Sequence, residues 1–481
     1  MKKAFILVCI LSVICSFAQN EPTDFLSSEF HKERRELVRE KMPENSVAVF
    51  FANPVRNRSN DVDYIYHQDP NFYYLTGYKE PHAVLLIFKE EQEGPEGAYD
   101  EIIFIQPRNA MAEMWTGRRM GITGVKEKLK LNQVFNNTDF EAYNIDFSTF
   151  DKVMFYDFFN DVRDTSTEGD LYDLIAQFKQ KVGYPTEGDL SIETRGKNLD
   201  METLDQIMVE LRGIKTADEI DLVRKAVDIS CIGQAEVMKA IRPGMSEREV
   251  QGIHEFIFKK YQAEYEGYPS IVGEGNNGCI LHYIDNYKPE ISSDKMILMD
   301  LGAEYHGYTA DVTRTIPVDG KFSPEEKAIY DLVFKAQDAA INAAKPGVNI
   351  ARDLDAAIAR KIINEGLTEL GIIEGPESRH LYYPHGLGHH IGLDVHDKGS
   401  YEYLEPGMII TIEPGIYIPE GAKCDPKWWG IAVRIEDCIL ITEDGNELLS
   451  DLAPRRSDEI EALMKQPSPL DDFILPDLDK E

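Results

Sequence analysis

The chain has 481 residues, which is long for one ordinary globular domain and predicts two. Lysine and arginine number 51 against 85 aspartate and glutamate residues, giving a formal net charge of -34. This balance excludes a partner bound through its phosphate backbone, so we expect no nucleic-acid partner. Hydrophobic residues make up 43% of the chain, enough for a substantial core. The acidic excess is explained either by solubility or by carboxylates that hold cations.

Residues 1–18 have the pattern of a cleaved signal peptide. Lys2 and Lys3 form a short positive region, residues 4–17 are almost wholly apolar, and Ser16 and Ala18 fit a small-x-small cleavage site. The apolar run is too short to span a bilayer comfortably, and no other run is long enough. We therefore expect export to the periplasm or the medium, and no membrane span in the mature protein.

The cysteines leave one alternative open for the leader. Cys15 suggests a lipid anchor, but Ile14 before it is bulky where a small residue is expected. The chain has six cysteines and no CxxC motif. Although an exported protein can form disulfides, nothing in the spacing demands it. We expect the four cysteines of the mature chain to be free and partly buried: Cys231, Cys279, Cys424 and Cys438.

The N-terminal half, residues 28–205, reads as an α/β domain. Residues 30–44 form a charged amphipathic pattern that predicts a helix, and short apolar runs predict strands between helical stretches. The predicted strands cover residues 46–52, 83–88, 101–106 and 152–156.

The pattern changes near residue 210 and predicts a second domain over residues 206–465. Three capping boxes, at 216–219, 246–249 and 323–326, mark the starts of helices. Pro324 takes the first helical position of the third, where its missing N–H is not needed. Helices then alternate with strand clusters. Residues 466–481 contain several proline and aspartate residues and predict a flexible tail.

Two aspartates in the second domain suggest a metal site. An apolar strand over residues 296–299 ends on Asp300, and a second strand carries Asp311, eleven residues on (311 − 300). A hairpin would bring the two carboxylates together, and a metal would remove their repulsion, since a buried charge is costly unless paired or metal-bound. The alternative is a turn-capping aspartate with a salt bridge from Arg314.

Residues 384–397 hold four of the chain's 11 histidines: His385, His389, His390 and His396. Three glycines in this window permit close approach of the backbone to a site. Neutral imidazole is a good ligand for Mn, Co or Zn. A single histidine is more often a satisfied core residue, but four among glycines favour a site.

Two further carboxylates follow apolar strands. Residues 408–412 run into Glu413, and residues 432–441 predict a strand on which Arg434 and Glu436 share one face. An ordinary cross-strand ion pair is the alternative for those two. Four carboxylates with one histidine and no sulfur suit two hard or borderline divalent ions rather than a structural zinc. Two such ions polarise a carbonyl and activate water, which fits amide hydrolysis.

These residues stand in motifs that resemble the pita-bread metallopeptidases, and most closely the Xaa-Pro aminopeptidase (aminopeptidase P) branch. The resemblance covers roughly residues 28–462. It implies an α/β two-domain protein, with a C-terminal pita-bread (creatinase/aminopeptidase) fold and a smaller α/β N-terminal domain. The motifs of the C-terminal half are DLGA at 300–303, TADVTRT at 309–315, the histidine cluster at 385–396, EPGIY at 413–417 and RIED at 434–437. Those of the N-terminal half are RSND at 58–61, FYYLTGY at 72–78 and EMWTGRR at 113–119.

The resemblance implies a metal-ligand set and an activity. Asp311 and Glu436 would bridge two metals, Asp300 would hold one, and His389 and Glu413 the other. Manganese is the first expectation because the ligands are mostly hard oxygens, with Co²⁺ or Zn²⁺ as alternatives. The implied activity is removal of the N-terminal residue from peptides with proline in second position, and such peptides are the implied partners.

The resemblance also implies substrate roles. Glu413 would shuttle a proton to the leaving nitrogen. His282 and His396 would orient the substrate, His385 would shape a proline pocket with Tyr417, and Arg434 would steady the carboxylates. In bacterial relatives, residues matching Asp61 and Trp115 reach across subunits to the substrate, so we expect a homo-oligomer, either a dimer or a tetramer.

Two alternative functions remain on the same fold. The context of His385 and His389 resembles prolidase, which cuts only Xaa-Pro dipeptides and would need a basic group, such as Arg379, for the dipeptide carboxylate. The short segment between Glu413 and Glu436 speaks against prolidase. A non-catalytic peptide-binding module is the other alternative, but such relatives typically lose metal ligands, and this chain keeps five.

Overall fold

The computed structural model describes residues 22–94, 97–158, 167–184 and 198–472. The predicted signal peptide, residues 1–18, lies outside these ranges, as do residues 473–481 of the predicted tail. Residues 466–472 of that tail form turns in which Ser468 is buried and Asp471 accepts a hydrogen bond from Arg242, 2.9 Å away. Within the described ranges, we find no helix long and apolar enough to cross a membrane.

The N-terminal half is built on a six-stranded sheet with the order β6-β5-β4-β1-β7-β8, in which β4 runs antiparallel to β1 and β5 while the other neighbours are parallel. A separate pair, β2 and β3, forms a small exposed hairpin. The strands are β1 (Ser46–Phe51), β2 (Asn57–Ser59), β3 (Val62–Asp63), β4 (Val84–Gly94), β5 (Gly97–Ile105), β6 (Val134–Asn136), β7 (Lys152–Phe155) and β8 (Leu199–Asp200). The helices are α1 (Ser28–Lys41), α2 (Pro70–Thr76), α3 (Ala110–Thr116), α4 (Gly121–Gly124), α5 (Leu171–Lys181) and α6 (Thr203–Gly213).

This sheet is covered on both faces, as the continuous apolar runs of its central strands require. Along β1, Val47 and Val49 face one cluster with helix α5, whereas Ala48 and Phe50 face the opposite side. That second side is continuous with the core of the C-terminal half. The N-terminal sheet is therefore packed against the C-terminal half. The predicted helix and all four predicted strands are confirmed, with shifted ends.

The C-terminal half contains several small sheets covered by long helices. The sheets have the orders β10-β11-β14, β13-β12-β9, β15-β18-β19 and β16-β17. Their strands are β9 (Tyr265–Glu266), β10 (Ile271–Glu274), β11 (Met296–Asp300), β12 (Ala303–Tyr305), β13 (Tyr308–Thr309), β14 (Thr313–Pro317), β15 (Ile409–Ile412), β16 (Gly415–Ile418), β17 (Ile431–Arg434), β18 (Asp437–Ile441) and β19 (Asn446–Leu448). The helices are α7 (Ala217–Ala240), α8 (Glu247–Lys260), α9 (Pro324–Ala343), α10 (Arg360–Glu369, preceded by a π-helical segment Ile350–Ala359) and α11 (Ser457–Leu463).

All three predicted capping boxes are confirmed, and they begin α7, α8 and α9. In each, the N-cap hydroxyl accepts from the third helical N–H while the Glu at that position accepts from the N-cap N–H. Two orphan backbone donors are thereby satisfied at each helix start. The four cysteines are free, also as predicted, with Cys231 and Cys438 fully buried.

Two strand predictions are wrong in detail. Asp311 lies in residues 310–312, which join β13 to β14, because the segment after Asp300 forms its own small hairpin turning at His306 and Gly307. Regular pairing with β11 resumes only at Thr313. Likewise, residues 432–441 do not form one strand: β17 ends at Arg434 and β18 begins at Asp437. Both interruptions leave a carboxylate outside the regular ladder.

Candidate metal centre

Four carboxylates come together where strands of two sheets end. Asp300 is the last residue of β11 and Asp311 lies two residues before β14, so both flank paired strands of one sheet. Glu413 follows β15, and Glu436 directly precedes β18. The pattern of an apolar strand that ends on an acid predicted Asp300 and Glu413, whereas Asp311 and Glu436, predicted within strands, lie just outside them.

His389 completes this group from the loop that carries the histidine cluster. Its Nε2 atom lies 3.5 Å from Asp311 Oδ2, 3.6 Å from Glu413 Oε1 and 4.0 Å from Glu436 Oε1. Its Nδ1 lies 3.0 Å from the carbonyl oxygen of His390, which can only accept. Nδ1 therefore donates to this carbonyl, and the opposite ring nitrogen, Nε2, faces the carboxylates, the arrangement typical of a histidine metal ligand.

The electrostatics of the group favour a bound cation. Burial, together with the neighbouring acidic groups, raises the pKa of Asp311 and of Glu436 well above their usual values. Burial and the Glu436 carboxylate raise the pKa of Glu413 to about 8. Asp300, 7% exposed, adds a fourth acid. Buried carboxylates stay ionised only when paired or metal-bound. The donor set, four oxygen ligands and one imidazole nitrogen, fits divalent ions, and ligand atoms of Asp311, His389 and Glu436 lie within 4.8 Å of one another.

Asp300 is held by two neighbours on opposite sides. The Tyr268 hydroxyl lies 2.6 Å from Asp300 Oδ1 and 2.6 Å from Asp311 Oδ1, so it joins the two aspartates. Arg434 donates from Nη2 to Asp300 Oδ2 at 2.5 Å and from Nε to Thr313 Oγ1 at 3.2 Å. Within the described part of the chain, Arg434 is the one arginine or lysine that donates to a side-chain carboxylate of this group.

Thr313 extends the same network to Glu436. Its hydroxyl donates to Glu436 Oε2 at 2.6 Å, and its carbonyl accepts from the Glu436 N–H at 3.1 Å. Arg434 and Glu436 are therefore linked through Thr313, and the ordinary cross-strand ion pair considered from the sequence is not formed. Arg314 is bonded to Asp437 at 2.7 Å, so the alternative salt bridge from Arg314 to the aspartate pair is also not formed.

A second histidine lies beside the carboxylates. His385 Nδ1 donates to the Gly386 carbonyl at 2.8 Å and lies 3.6 Å from Glu413 Oε2. Its Nε2 accepts from the Tyr417 hydroxyl at 2.8 Å, which in turn accepts from Arg434 Nη1 at 3.0 Å. Burial and the charge of Arg434 lower the pKa of His385 to about 4. This imidazole is therefore neutral near pH 7.

The remaining predicted substrate residues lie at the mouth of the centre or on the surface. The ring of His396 contacts that of His389 edge to face, 4.3 Å between centroids. Burial and the charge of His389 lower the pKa of His396, and His282 acts on it in the same direction. His282 is exposed, as are Asp61, on the β2–β3 hairpin, and Trp115, on α3.

An open cleft of about 1060 Å³ leads to the centre between the two halves of the chain. The catalytic half contributes Tyr268 and His396 to its wall, and the N-terminal half contributes Tyr64, Ile65 and Pro70. Tyr268, which contacts Asp300 and Asp311, connects the wall of the cleft to the carboxylates.

Sequence reasoning missed Tyr268, which joins the two aspartates. It lies in the connection between the short strand β9 and β10, and a tyrosine beside glycine and proline there gives no chemical signal. It also missed the direct part played by Thr313, although that residue stands inside the TADVTRT motif, two positions after Asp311. Arg379, considered as a grip for a dipeptide carboxylate, is exposed.

Replacing Tyr268 with phenylalanine tests the link between the aspartates. We expect the Tyr268→Phe variant to bind divalent metal about 10- to 100-fold more weakly, because outer hydrogen bonds orient metal ligands. Competition with a chelator at known free Mn²⁺ measures this change. Tyr330→Phe is the matched control, since its buried hydroxyl donates to the Arg455 carbonyl instead. Equal affinity of the Tyr268→Phe variant and the wild type would contradict the assignment.

The chain matches known proteins over both halves. Residues 31–152 match the model of the aminopeptidase P N-terminal domain, and residues 221–443 that of metallopeptidase family M24. A Xaa-Pro aminopeptidase of Haemophilus influenzae is 37% identical over 91% of this chain and 98% of its own length, and that of Escherichia coli is 35% identical over 91% and 97%. A solved structure of aminopeptidase P from E. coli with the inhibitor Pro-Leu aligns with a TM-score of 0.80 at 33% identity, covering 92% of this chain and 98% of that one. The chain belongs to the Xaa-Pro aminopeptidase branch of the M24 metallopeptidases, with their pita-bread catalytic fold behind an aminopeptidase P N-terminal domain.

Proposed function

We propose that this chain hydrolyses the peptide bond between an N-terminal residue and a following proline, releasing the first amino acid. The observation that carries the proposal is the convergence of Asp311, His389 and Glu436 on one small volume, with Asp300 and Glu413 beside them. Relatives with nearly full-length coverage are named for this activity.

The proposed cofactor is a pair of divalent ions. Four carboxylates against the single positive charge of Arg434 leave a deficit of three positive charges, which one divalent ion does not neutralise. Asp311 and Glu436, lying between the other ligands, would hold both ions. Mn²⁺ is the proposed metal because oxygen ligands predominate, with Co²⁺ and Zn²⁺ as alternatives. Divalent ions in such a site polarise a carbonyl and lower the pKa of water.

The residues of the chain would orient the substrate around that chemistry. The Glu413 carboxyl lies between His389 and His385, 3.6 Å from a ring nitrogen of each, so it would carry a proton towards the leaving nitrogen. His396 and His282, at the mouth of the cleft, would position the substrate carbonyl. Arg434 donates to both Asp300 and Tyr417, so it would fix the position of a metal ligand relative to the proline pocket.

Proline selectivity is proposed to come from His385 and Tyr417. Their rings meet at 63° with centroids 5.5 Å apart, and the hydroxyl of one bonds the imidazole of the other. Such flat, mutually satisfied rings suit a pyrrolidine ring and offer it no unpaired polar atom. An Xaa-Pro bond has no N–H, so proteases that require that donor are disfavoured and a dedicated enzyme is needed.

The substrate test compares three peptides with the purified protein and added Mn²⁺: Xaa-Pro-Yaa, Xaa-Pro and Xaa-Ala-Yaa. We expect release of free Xaa from the Xaa-Pro tripeptide at least about 10-fold faster than from the alanine peptide, the discrimination that a difference of about 1.4 kcal/mol provides. Cleavage of the dipeptide alone would indicate prolidase. Inactivity on all three peptides would favour a binding role.

We also propose that the protein acts as a homo-oligomer. Met114 and Trp115 on α3 are 77% and 82% exposed, and large apolar side chains at such exposure favour an interface. Light scattering after size exclusion tests this proposal: a dimer or tetramer supports it, and a monomer contradicts it.

Export remains a proposal that rests on the N-terminal pattern alone. Lysines at positions 2 and 3 precede an apolar run that ends in a small-x-small site at Ser16 and Ala18. Intact mass of the protein isolated from its native source should place the mature start at Gln19; a start at Met1 would contradict the proposal.

A further inference from the structure

Two buried glutamines occupy corresponding places behind the metal centre. Gln234 is on α7 and Gln337 is on α9, the long helices that begin with capping boxes in the two halves of the catalytic domain. Both side chains are fully buried. The amide Nε2 of each lies within hydrogen-bond distance of two backbone carbonyls, and each pair of carbonyls lies next to one pair of the acidic residues.

On the first sheet, Gln234 Nε2 lies 3.1 Å from the Met299 carbonyl and 2.8 Å from the Val312 carbonyl. Met299 directly precedes Asp300, and Val312 directly follows Asp311. One amide therefore ties together the two chain segments that carry the two aspartates.

On the second sheet, Gln337 Nε2 lies 3.1 Å from the Ile412 carbonyl and 3.0 Å from the Ile435 carbonyl. Ile412 directly precedes Glu413, and Ile435 directly precedes Glu436. The arrangement around the two glutamates thus repeats the one around the two aspartates. A third acceptor, Asp437 Oδ2, lies 2.7 Å from the Gln337 Nε2, so the two N–H groups of this amide are shared among three oxygens. Arg455 donates to the Gln337 Oε1 at 3.2 Å.

The backbone at these points lacks the support of a regular ladder. Pairing of β11 with β14 stops at Asp300 and Thr313, and pairing of β15 with β18 stops at Ile412 and Asp437. The short segments that carry Asp311 and Glu436 lie just outside those ends. A buried carbonyl without a donor is destabilising, so the amide donors favour one position of each segment.

The amide orientation is determined by the contacts. Turning either side chain over would place its oxygen against two carbonyl oxygens, which repel it. For Gln234 the Oε1 atom has no hydrogen-bond partner among the described residues, so the two carbonyls alone fix the amide. Packing alone does not explain a buried glutamine at both positions, because an apolar side chain would fill the space without needing hydrogen-bond partners.

We propose that Gln234 and Gln337 are positioning residues that hold the two carboxylate pairs at the separation that metal binding requires. The inference deepens the proposed metal centre and rests on it. Neither side chain touches substrate or metal; each acts through the backbone beside the ligands. Removing either amide should therefore lower the affinity for metal in a protein that still folds.

The experiment measures metal release from the full protein loaded with Mn²⁺. Gln234→Met and Gln337→Met keep the side-chain length but remove both donors, and Gln→Glu at each position keeps the shape while replacing the donating NH₂ with an acceptor. We expect half-release at about 10- to 100-fold higher free Mn²⁺ than in the wild type, the range typical of outer contacts to metal ligands. Lost peptidase activity should return at excess Mn²⁺.

Tyr74→Phe is the matched control, because its buried hydroxyl also donates to a backbone carbonyl, that of Leu211, in a different part of the chain. We expect it to retain metal like the wild type. If a methionine variant does not fold, the glutamate variant at that position and both variants at the other position still decide the question. Release midpoints equal to that of the wild type in folded variants at both positions would overturn the inference while leaving the peptide test untouched. A wild-type protein that retains no Mn²⁺ would overturn the metal centre and this inference together.

Discussion

An Asp311→Asn variant is expected to lose at least about 1,000-fold in kcat/KM towards an Xaa-Pro tripeptide. The loss corresponds to about 4 kcal/mol of transition-state stabilisation, which is within what bound divalent metals supply. Asp311 lies at the centre of the acidic group, 3.5 Å from His389 Nε2. Asparagine keeps the shape of the side chain but removes its charge. Steady-state kinetics with added Mn²⁺ measure the change.

The same substitution should raise the melting temperature of the metal-free protein. Burial and the neighbouring Asp300 raise the pKa of Asp311, so its ionised form is destabilised when no cation is present. Asp319→Asn is the control, since Asp319 is an exposed aspartate just beyond the other end of β14. Retention of more than a tenth of wild-type activity by Asp311→Asn would contradict a bridging role.

An Arg314→Met variant is expected to be the most destabilised of the single substitutions considered. Arg314 is fully buried and donates to Asp437 Oδ1 at 2.7 Å, where Asp437 is also fully buried. Removing one partner of such a pair leaves a buried charge uncompensated, which costs about 3–5 kcal/mol. Urea denaturation followed by fluorescence of Trp428 and Trp429, which lie in the same half of the chain, reports the loss.

The double variant Arg314→Met/Asp437→Asn separates the charge from the packing. Asparagine removes the uncompensated charge and keeps polar atoms near Gln337 and Ser450, which both contact Asp437. We expect the double variant to be more stable than the sum of the two single changes predicts, by about 1–3 kcal/mol. Strict additivity would mean that the pair is not coupled.

The sequence indicated the proposed metal ligands but not the residues that hold those ligands in position. Asp300 and Glu413 were predicted because an apolar strand that ends on an acid is costly without a partner. The cluster of histidines among glycines indicated a site, and the family resemblance singled out His389 within it. In contrast, Tyr268 and the two glutamines contact the site from separate elements, and a single polar residue within an apolar pattern does not reveal its partner.

The errors in the strand predictions have a physical cause. Period-two patterning extended the strand through residues 432–441 because alternation puts Arg434 and Glu436 on one face, and no glycine or proline marks a break. The actual break at Ile435 and Glu436 is set by tertiary contacts, including the hydrogen bond from the Glu436 N–H to Thr313. Likewise, the hairpin turning at His306 and Gly307 displaced Asp311 from the predicted strand. Sequence patterns locate elements, and contacts between them fix where each one ends.

The most direct test of the proposed activity is chelation and reconstitution on a single Xaa-Pro-Yaa peptide, with metal counted by mass spectrometry at each stage. The purified protein should release free Xaa, lose that activity when a chelator removes its metal, and regain it as about two Mn²⁺ ions per chain are restored. Undiminished hydrolysis by protein shown to be free of metal would contradict the account, because the carboxylates would then have no role in the reaction.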